Sequence, residues 1–167
     1  DALRSSEERY RRVIETTSEG YWLINQQAEI IEVNQSLCDM LGYNQAEMLG
    51  KKPFYFVDKE NLKILQAQMA RRTSTPHRSY DITLTHKNGC NVFTHFNATT
   101  INPENATAII TFAFVTDITE RKRAEKTLLE KTAFIDSILS SSINMAIAAT
   151  DLDFRITYFN PIAEKIF

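Results

Sequence analysis

Cysteine is nearly absent: Cys38 and Cys90 are the only two in 167 residues. Two isolated thiols are too few for a disulfide framework or a zinc site. Nothing beside either one points to a lowered pKa, so both are expected to be inert. Histidine is as sparse, and His77, His86 and His95 lack metal-ligand spacing. The four glycines are scattered, none of them in a Gly-rich phosphate loop. No apolar run approaches the roughly 18 residues of a membrane helix, and no signal-peptide pattern opens the chain. Neither sign of charge dominates. Lys and Arg number 19 against 21 Asp and Glu, a net −2, which removes the basic field that phosphate backbones attract. Arg121-Lys122-Arg123 reads as a solvated helix start. A phosphoacceptor histidine motif and the Gly-Gly-Asp-Glu-Phe and Glu-Ala-Leu signatures are also missing, so no catalytic constellation is expected in these residues. What is present is ordinary for a folded protein, 43% apolar and 24% charged, at a length of one domain or one plus a fragment. The expectation is a cytoplasmic piece that binds neither nucleic acid nor membrane and holds no metal.

The chain opens on a helical pattern. Ser5 precedes Glu8 at capping-box spacing, Tyr10, Val13 and Ile14 follow at helical intervals, and Gly20 ends the pattern. Two strand-like runs come next, Tyr21–Ile24 and Ile30–Val33, around the polar turn Asn25-Gln26-Gln27. Asn34 is placed to cap a short helix carrying Leu37, Cys38 and Leu41 and closed by Gly42. Asn44 with Glu47 predicts a further single turn. Asp58 predicts the cap of a longer helix, with Leu62, Leu65 and Met69 as its apolar stripe and Lys59, Lys63 and Arg71 solvated. Strand signals return after Pro76 and last to about residue 116, broken at Lys87-Asn88-Gly89 and again at Asn102–Asn105.

Register decides which side chains of the first of these hairpins face inward. A two-residue Asn-Gly turn would gather Ile82, Leu84, Phe93 and His95 on one face. A three-residue loop with Gly89 left-handed shifts the pairing by one. Tyr80, Ile82, Leu84, Val92, Thr94, Phe96 and Ala98 then share one face, while Asp81, Thr83, Thr85, Asn91, Phe93, His95 and Asn97 share the other. The second register sorts apolar from polar far better and is the one predicted, with His95 outside near Asp81.

Asp117-Ile118-Thr119-Glu120 has capping-box spacing and opens a charged segment. Ala124, Leu128, Ile135, Ile138 and Ser142 follow at a/d spacing, interrupted by Lys131. Some 23 residues at about 1.5 Å each make a rod of roughly 35 Å, able to pair when held between folded domains. The last residues repeat the first ones without gaps at an offset of 126. Asn25, Val33-Asn34 and Met40-Leu41 align with Asp151, Phe159-Asn160 and Ile166-Phe167. The second copy stops where its first helix should continue, which suggests a fragment of a longer protein.

In this order, strand–turn–strand to Val33-Asn34, Leu41-Gly42-Tyr43, Met48-Leu49-Gly50, the Lys87-Asn88-Gly89 hairpin and Asp117-Ile118-Thr119-Glu120-Arg121-Lys122 resemble a PAS sensory domain with its C-terminal PAC segment. The resemblance covers residues 5 to about 119. It divides the chain into an N-terminal helix (1–18), the PAS domain (19–118), a linker helix that could form a coiled coil (119–143) and a truncated second PAS copy (144–167). The implied fold is α+β, a five-stranded antiparallel sheet of order 2-1-5-4-3 with short helices cupping one face and a long helix after it. That face would hold a small ligand or cofactor, or simply be filled. Its ligand-binding set would be Trp22, Ile24, Leu41, Phe54, Leu65, Met69, Leu84, Thr94, Phe96, Thr111, Ala113 and Val115, with Asp117 and Thr119 relaying a signal. Thr94 and Thr111 can equally satisfy themselves locally, and Trp22 and Phe96 favour a small or filled cavity.

Photoreceptor members form a flavin adduct through a cysteine three residues after the glycine matching Gly50. Pro53 stands there, so that adduct is disfavoured. Haem-binding relatives use a histidine on the long helix, and 58–73 contains none. Noncovalent flavin or a small metabolite stays open. By resemblance the output beyond this piece would be a histidine kinase or a diguanylate cyclase or phosphodiesterase, and the partners would be a second copy, paired through the N-terminal and linker helices, and downstream domains. The alternative is a structural homodimerisation spacer with a filled, ligand-free core, in which Phe112 and Phe114 on the outer sheet face pack under the N-terminal helix or a partner.

Overall fold

In the computed structural model, residues 2–102, 108–141 and 145–166 are described. The elements are α1 (Ala2–Thr16), β1 (Gly20–Ile24), β2 (Ile30–Val33), α2 (Gln35–Leu41), α3 (Gln45–Met48), a 3-10 turn (Pro53–Phe56), α4 (Lys59–Ala70), β3 (His77–Thr85), β4 (Asn91–Ile101), β5 (Ile110–Asp117), α5 (Thr119–Ser141), β6 (Ala148–Thr150), β7 (Ile156–Phe159) and α6 (Ala163–Ile166). The chain divides into two compact units, residues 1–120 and 121–167, with the boundary in the first turn of α5.

The first unit is a five-stranded sheet of order β2-β1-β5-β4-β3, every neighbouring pair antiparallel. Along β4 burial alternates strictly from Val92 to Thr100, as a sheet covered on one face requires. Leu84 pairs with Val92 and Ile82 with Thr94. The connection is therefore the three-residue loop, with Gly89 at φ 87° and the His86 amide donating to the Cys90 carbonyl at 2.8 Å. His95 lies outside, its Nδ1 2.7 Å from Asp81 Oδ1.

The short helices are set by their caps. Asn34 and Asn44 both accept from amides three residues on, and Glu47 returns a bond to the Asn44 amide. Asp58 takes the amides of Glu60 and Asn61. Only Leu65 of the α4 stripe is fully buried; Leu62 and Met69 are half-buried. Gly42 ends α2 at φ 73°, where a Cβ would stand 2.4 Å from the His86 ring. One sequence expectation needs correcting. The helix α1 is already under way at Ala2, so Ser5 is not its cap: Ala2, Leu3 and Arg4 are strong helix formers and carry the helix past the local box. At the other end, the helix α5 starts at Thr119, just after β5, whose last residue Asp117 is paired with Thr94. Its carboxylate therefore takes the amide two residues on.

On the outer face α1 covers an aromatic patch. Tyr21 lies 5.4 Å from Phe114 and 6.5 Å from Phe112 between ring centres, its hydroxyl is 2.6 Å from that of Tyr10, and Ile14 of α1 is buried. Burial and the Tyr10 contact push the Tyr21 phenol well above its ordinary pKa.

The second unit repeats the start of the first at the level of hydrogen bonds. Asn34 Oδ1 accepts from the Tyr21 and Leu37 amides at 2.8 and 3.0 Å, and Asn160 Oδ1 from those of Ile147 and Ala163 at 2.9 Å. Their Nδ2 groups donate to the Glu19 and Met145 carbonyls. Asn25 and Asp151 close the same turn by accepting from the Glu29 and Arg155 amides, with Ala28 and Phe154 both left-handed at φ 60° and 59°. Ser142, the last expected a/d position of the rod, lies outside the described residues.

Candidate functional site

The inner face of the sheet, α2, α4 and the 3-10 turn enclose a cup. Trp22 and Ile24 reach it from β1, Leu84 from β3, Thr94 and Phe96 from β4, and Thr111, Ala113 and Val115 from β5. All are buried, as are Leu41 and Leu65 from the helices, while Phe54 and Met69 pack against them half-buried. The aromatic rings fill most of the space. Trp22 sits 5.5 Å from Phe96 and 6.5 Å from Phe56, and Tyr80 stacks on Phe96 at 5.5 Å and 16°. Burial pushes the Tyr80 phenol up to about 12. The space left among Trp22, Leu65, Met69, Tyr80 and Phe96 is about 10 Å³, on the order of a single water. Thr94 donates to the Ile82 carbonyl at 2.6 Å, a strand threonine satisfied locally.

The polar end of the cup lies beyond the sequence-derived set. Arg78 is only 8% exposed. Its Nη1 donates to the Gln68 carbonyl at the end of α4, and its Nη2 to the Thr100 hydroxyl at 3.0 Å. That hydroxyl is 2.9 Å from Thr111, so β3, β4 and β5 are tied to α4 through one guanidinium. Burial holds Arg78 below its ordinary pKa, with the Arg72 charge adding to the depression against the Tyr80 phenol. Sequence reading also missed Phe56 and Met48, both fully buried.

The exit from the sheet is a clamp. The Ile118 amide donates to the Phe93 carbonyl at 2.8 Å, and the Phe93 amide donates to Thr119 Oγ1 at 3.1 Å. Asp117 Oδ1 accepts from the Thr119 amide at 2.8 Å. Ile118 and Thr119 are 6% and 9% exposed. The ladder between β4 and β5 thus runs without a break into the first turn of α5. Farther along, Leu128, Leu129, Phe134 and Ile135 are more than half exposed.

Cys38 is buried with its thiol pushed up by burial, and Cys90 is exposed. Among the described residues no three His, Cys, Asp or Glu side chains are grouped to hold a metal, and no helix is long and apolar enough to cross a membrane.

This arrangement has known counterparts. A methyl sulfide methyltransferase-associated sensor of Methanosarcina acetivorans is 27% identical over 126 residues, covering 75% of this chain and 12% of that protein. The sensor histidine kinase TmoS of Ectopseudomonas mendocina is 22% identical over 129 residues, covering 76% and 13%. The matched stretch is thus about an eighth of either relative. The crystal structure of the PAS domain of an HTR-like protein from Haloarcula marismortui superposes with a TM-score of 0.61 at 21% identity, covering 70% of this chain and 95% of that one. With residues 18–120, more than half of its length, matching the model of the PAS domain, the chain belongs to the PAS domain family.

Proposed function

We propose that the chain is a cytoplasmic sensory relay module of a larger signalling protein. In this reading the state of the cup passes through β5 into α5 and on to an output domain, a histidine kinase being the output that TmoS suggests and a diguanylate cyclase or phosphodiesterase the other. The observation that carries it is the clamp at Phe93. The β4 strand that lines the cup with Thr94 and Phe96 also holds the root of α5 through the neighbouring residue. A ligand moves such an equilibrium only by binding its two states unequally; a 100-fold difference supplies about 2.7 kcal/mol. Replacing Asp117 by Ala in the longer protein should leave the sheet folded, by circular dichroism and melting temperature, and uncouple the output from its stimulus. An output regulated as in the wild type overturns the relay.

A second reading is favoured by the 10 Å³ left in the cup and by the exposed apolar side chains of α5. Here the core is simply filled and the module spaces its neighbours as a homodimer. Mass spectrometry of what co-purifies separates the two: a ligand released on denaturation supports the first, and a ligand-free dimer insensitive to metabolites supports the second.

A further inference from the structure

Among the described residues only two buried side-chain polar atoms lack a hydrogen-bond partner, and both belong to guanidinium groups: Arg72 Nη1 and Arg78 Nε. Neither arginine faces a carboxylate within ion-pair distance among the described residues. Arg72 spends its Nη2 on the Gln26 carbonyl at 2.7 Å, and Arg78 spends its two Nη groups on a carbonyl and a hydroxyl. Two positive charges therefore stand at one end of the cup, one of them nine-tenths buried, with neutral partners and N–H groups to spare. Buried N–H groups are nearly always paired, and a buried cation normally has a counter-charge.

Beside them opens a cleft of about 280 Å³ lined by Arg72, Thr73, Pro76, Thr100, Asn102 and Ile109. It is separate from the filled interior, and Thr100 links the two: its hydroxyl accepts from Arg78 and meets Thr111 on β5, both of which line the interior. Pro76 and Ile109 give the cleft apolar walls, so it suits an anion with a hydrocarbon part better than a fully hydrated inorganic one.

We propose that this rim cleft is a binding site for a small organic carboxylate, held by Arg72 directly and by Arg78 through Thr100. A carboxylate entering it draws the Arg72 guanidinium outward by a side-chain rotation, exchanging an orphaned N–H for a charge-assisted pair. Thr100 has one hydroxyl hydrogen to give to the ligand once Thr111 becomes the donor of their shared bond. The proposal is independent of the relay, because it concerns binding alone.

Sodium benzoate is the probe, added to the 167-residue chain at tens of millimolar against sodium chloride of equal ionic strength. The expected result is a rise in melting temperature of at least about 3 °C and a shift of the Arg78 Nε–H resonance. Both should be lost in Arg72→Gln and partly kept in Arg72→Lys. Benzyl alcohol should give no comparable rise, and inorganic phosphate should compete weakly. Equal effects of benzoate and benzyl alcohol, an undiminished effect in Arg72→Gln, or stronger binding of phosphate than of benzoate would each overturn the assignment. A folded Arg72→Gln variant, checked by its own melt without ligand, keeps loss of binding distinct from loss of fold.

Discussion

Asn34 shows how much one side chain can hold. Its amide is wholly buried, caps α2 through the Leu37 amide, takes the Tyr21 amide, and donates to the carbonyls of Ile14 and Glu19. Truncation would orphan buried groups of α1, β1 and α2 together. Asn34→Ala is therefore expected to cost about 2–4 kcal/mol, the loss of a cap plus at least one stranded buried group, read as a lower midpoint in urea. A loss under about 1 kcal/mol would mean that water replaces the amide. The capping role is legible in the sequence, because Asn34 stands one residue before a helical pattern. The other bonds are not, since Ile14 and Tyr21 arrive there only through the fold. Arg78 was hidden for another reason. Alternation backward from Tyr80 puts it on the inner face, but charged residues are rarely buried, so the pattern and the residue type point in opposite directions.

At the scale of elements, the hairpin of β3 and β4 was the most legible part. A one-residue slip exchanges its two faces, and only one register separates Ile82, Leu84 and Phe96 from Asp81, His95 and Asn97. The 3-10 turn was the least legible, because four residues carry no readable period; Phe56, one of the larger core side chains, was missed with it. The hairpin loop is also tied down. Lys87 Nζ meets Glu47 Oε1 at 2.5 Å, and the Lys87 amide donates to the Leu41 carbonyl at 2.9 Å. The Lys87 ammonium, then the Asn44 amide, hold the exposed Glu47 carboxyl below its ordinary pKa. A carboxylate lowered by folding stabilises the fold above its unfolded pKa, and that contribution disappears as pH falls through the folded value. Glu47→Gln should thus lower the melting temperature slightly at pH 7, and the gap should close on acidification through the carboxylate range. A gap constant from pH 7 to 3 would show that the charge contributes nothing.

For the whole molecule, the linear order of elements and the long helix after the sheet could be read from the residues, whereas the order of the five strands within the sheet came only from the resemblance to the PAS family. The cup's remaining volume could be read from neither, because it depends on how Trp22, Tyr80, Phe56 and Phe96 interlock. The α5 helix leaves several apolar side chains open, with Leu128 67% and Ile135 54% exposed. If a second copy covers them, light scattering should give a dimer at tens of micromolar, and Leu128→Asp with Ile135→Asp should give a monomer with an unchanged sheet melt. A monomeric wild type would overturn the spacer reading.

The asparagine clasp bears on how two stretches with few letters in common share one local structure. Between residues 19–40 and 145–166 only Ile30 with Ile156 and Asn34 with Asn160 coincide, yet the same amides and carbonyls are gripped in both. Because the grip is on main-chain atoms, nearly every neighbour is free to drift without loosening it. Likeness between stretches of this kind is better traced by which peptide groups an amide side chain holds than by matching letters.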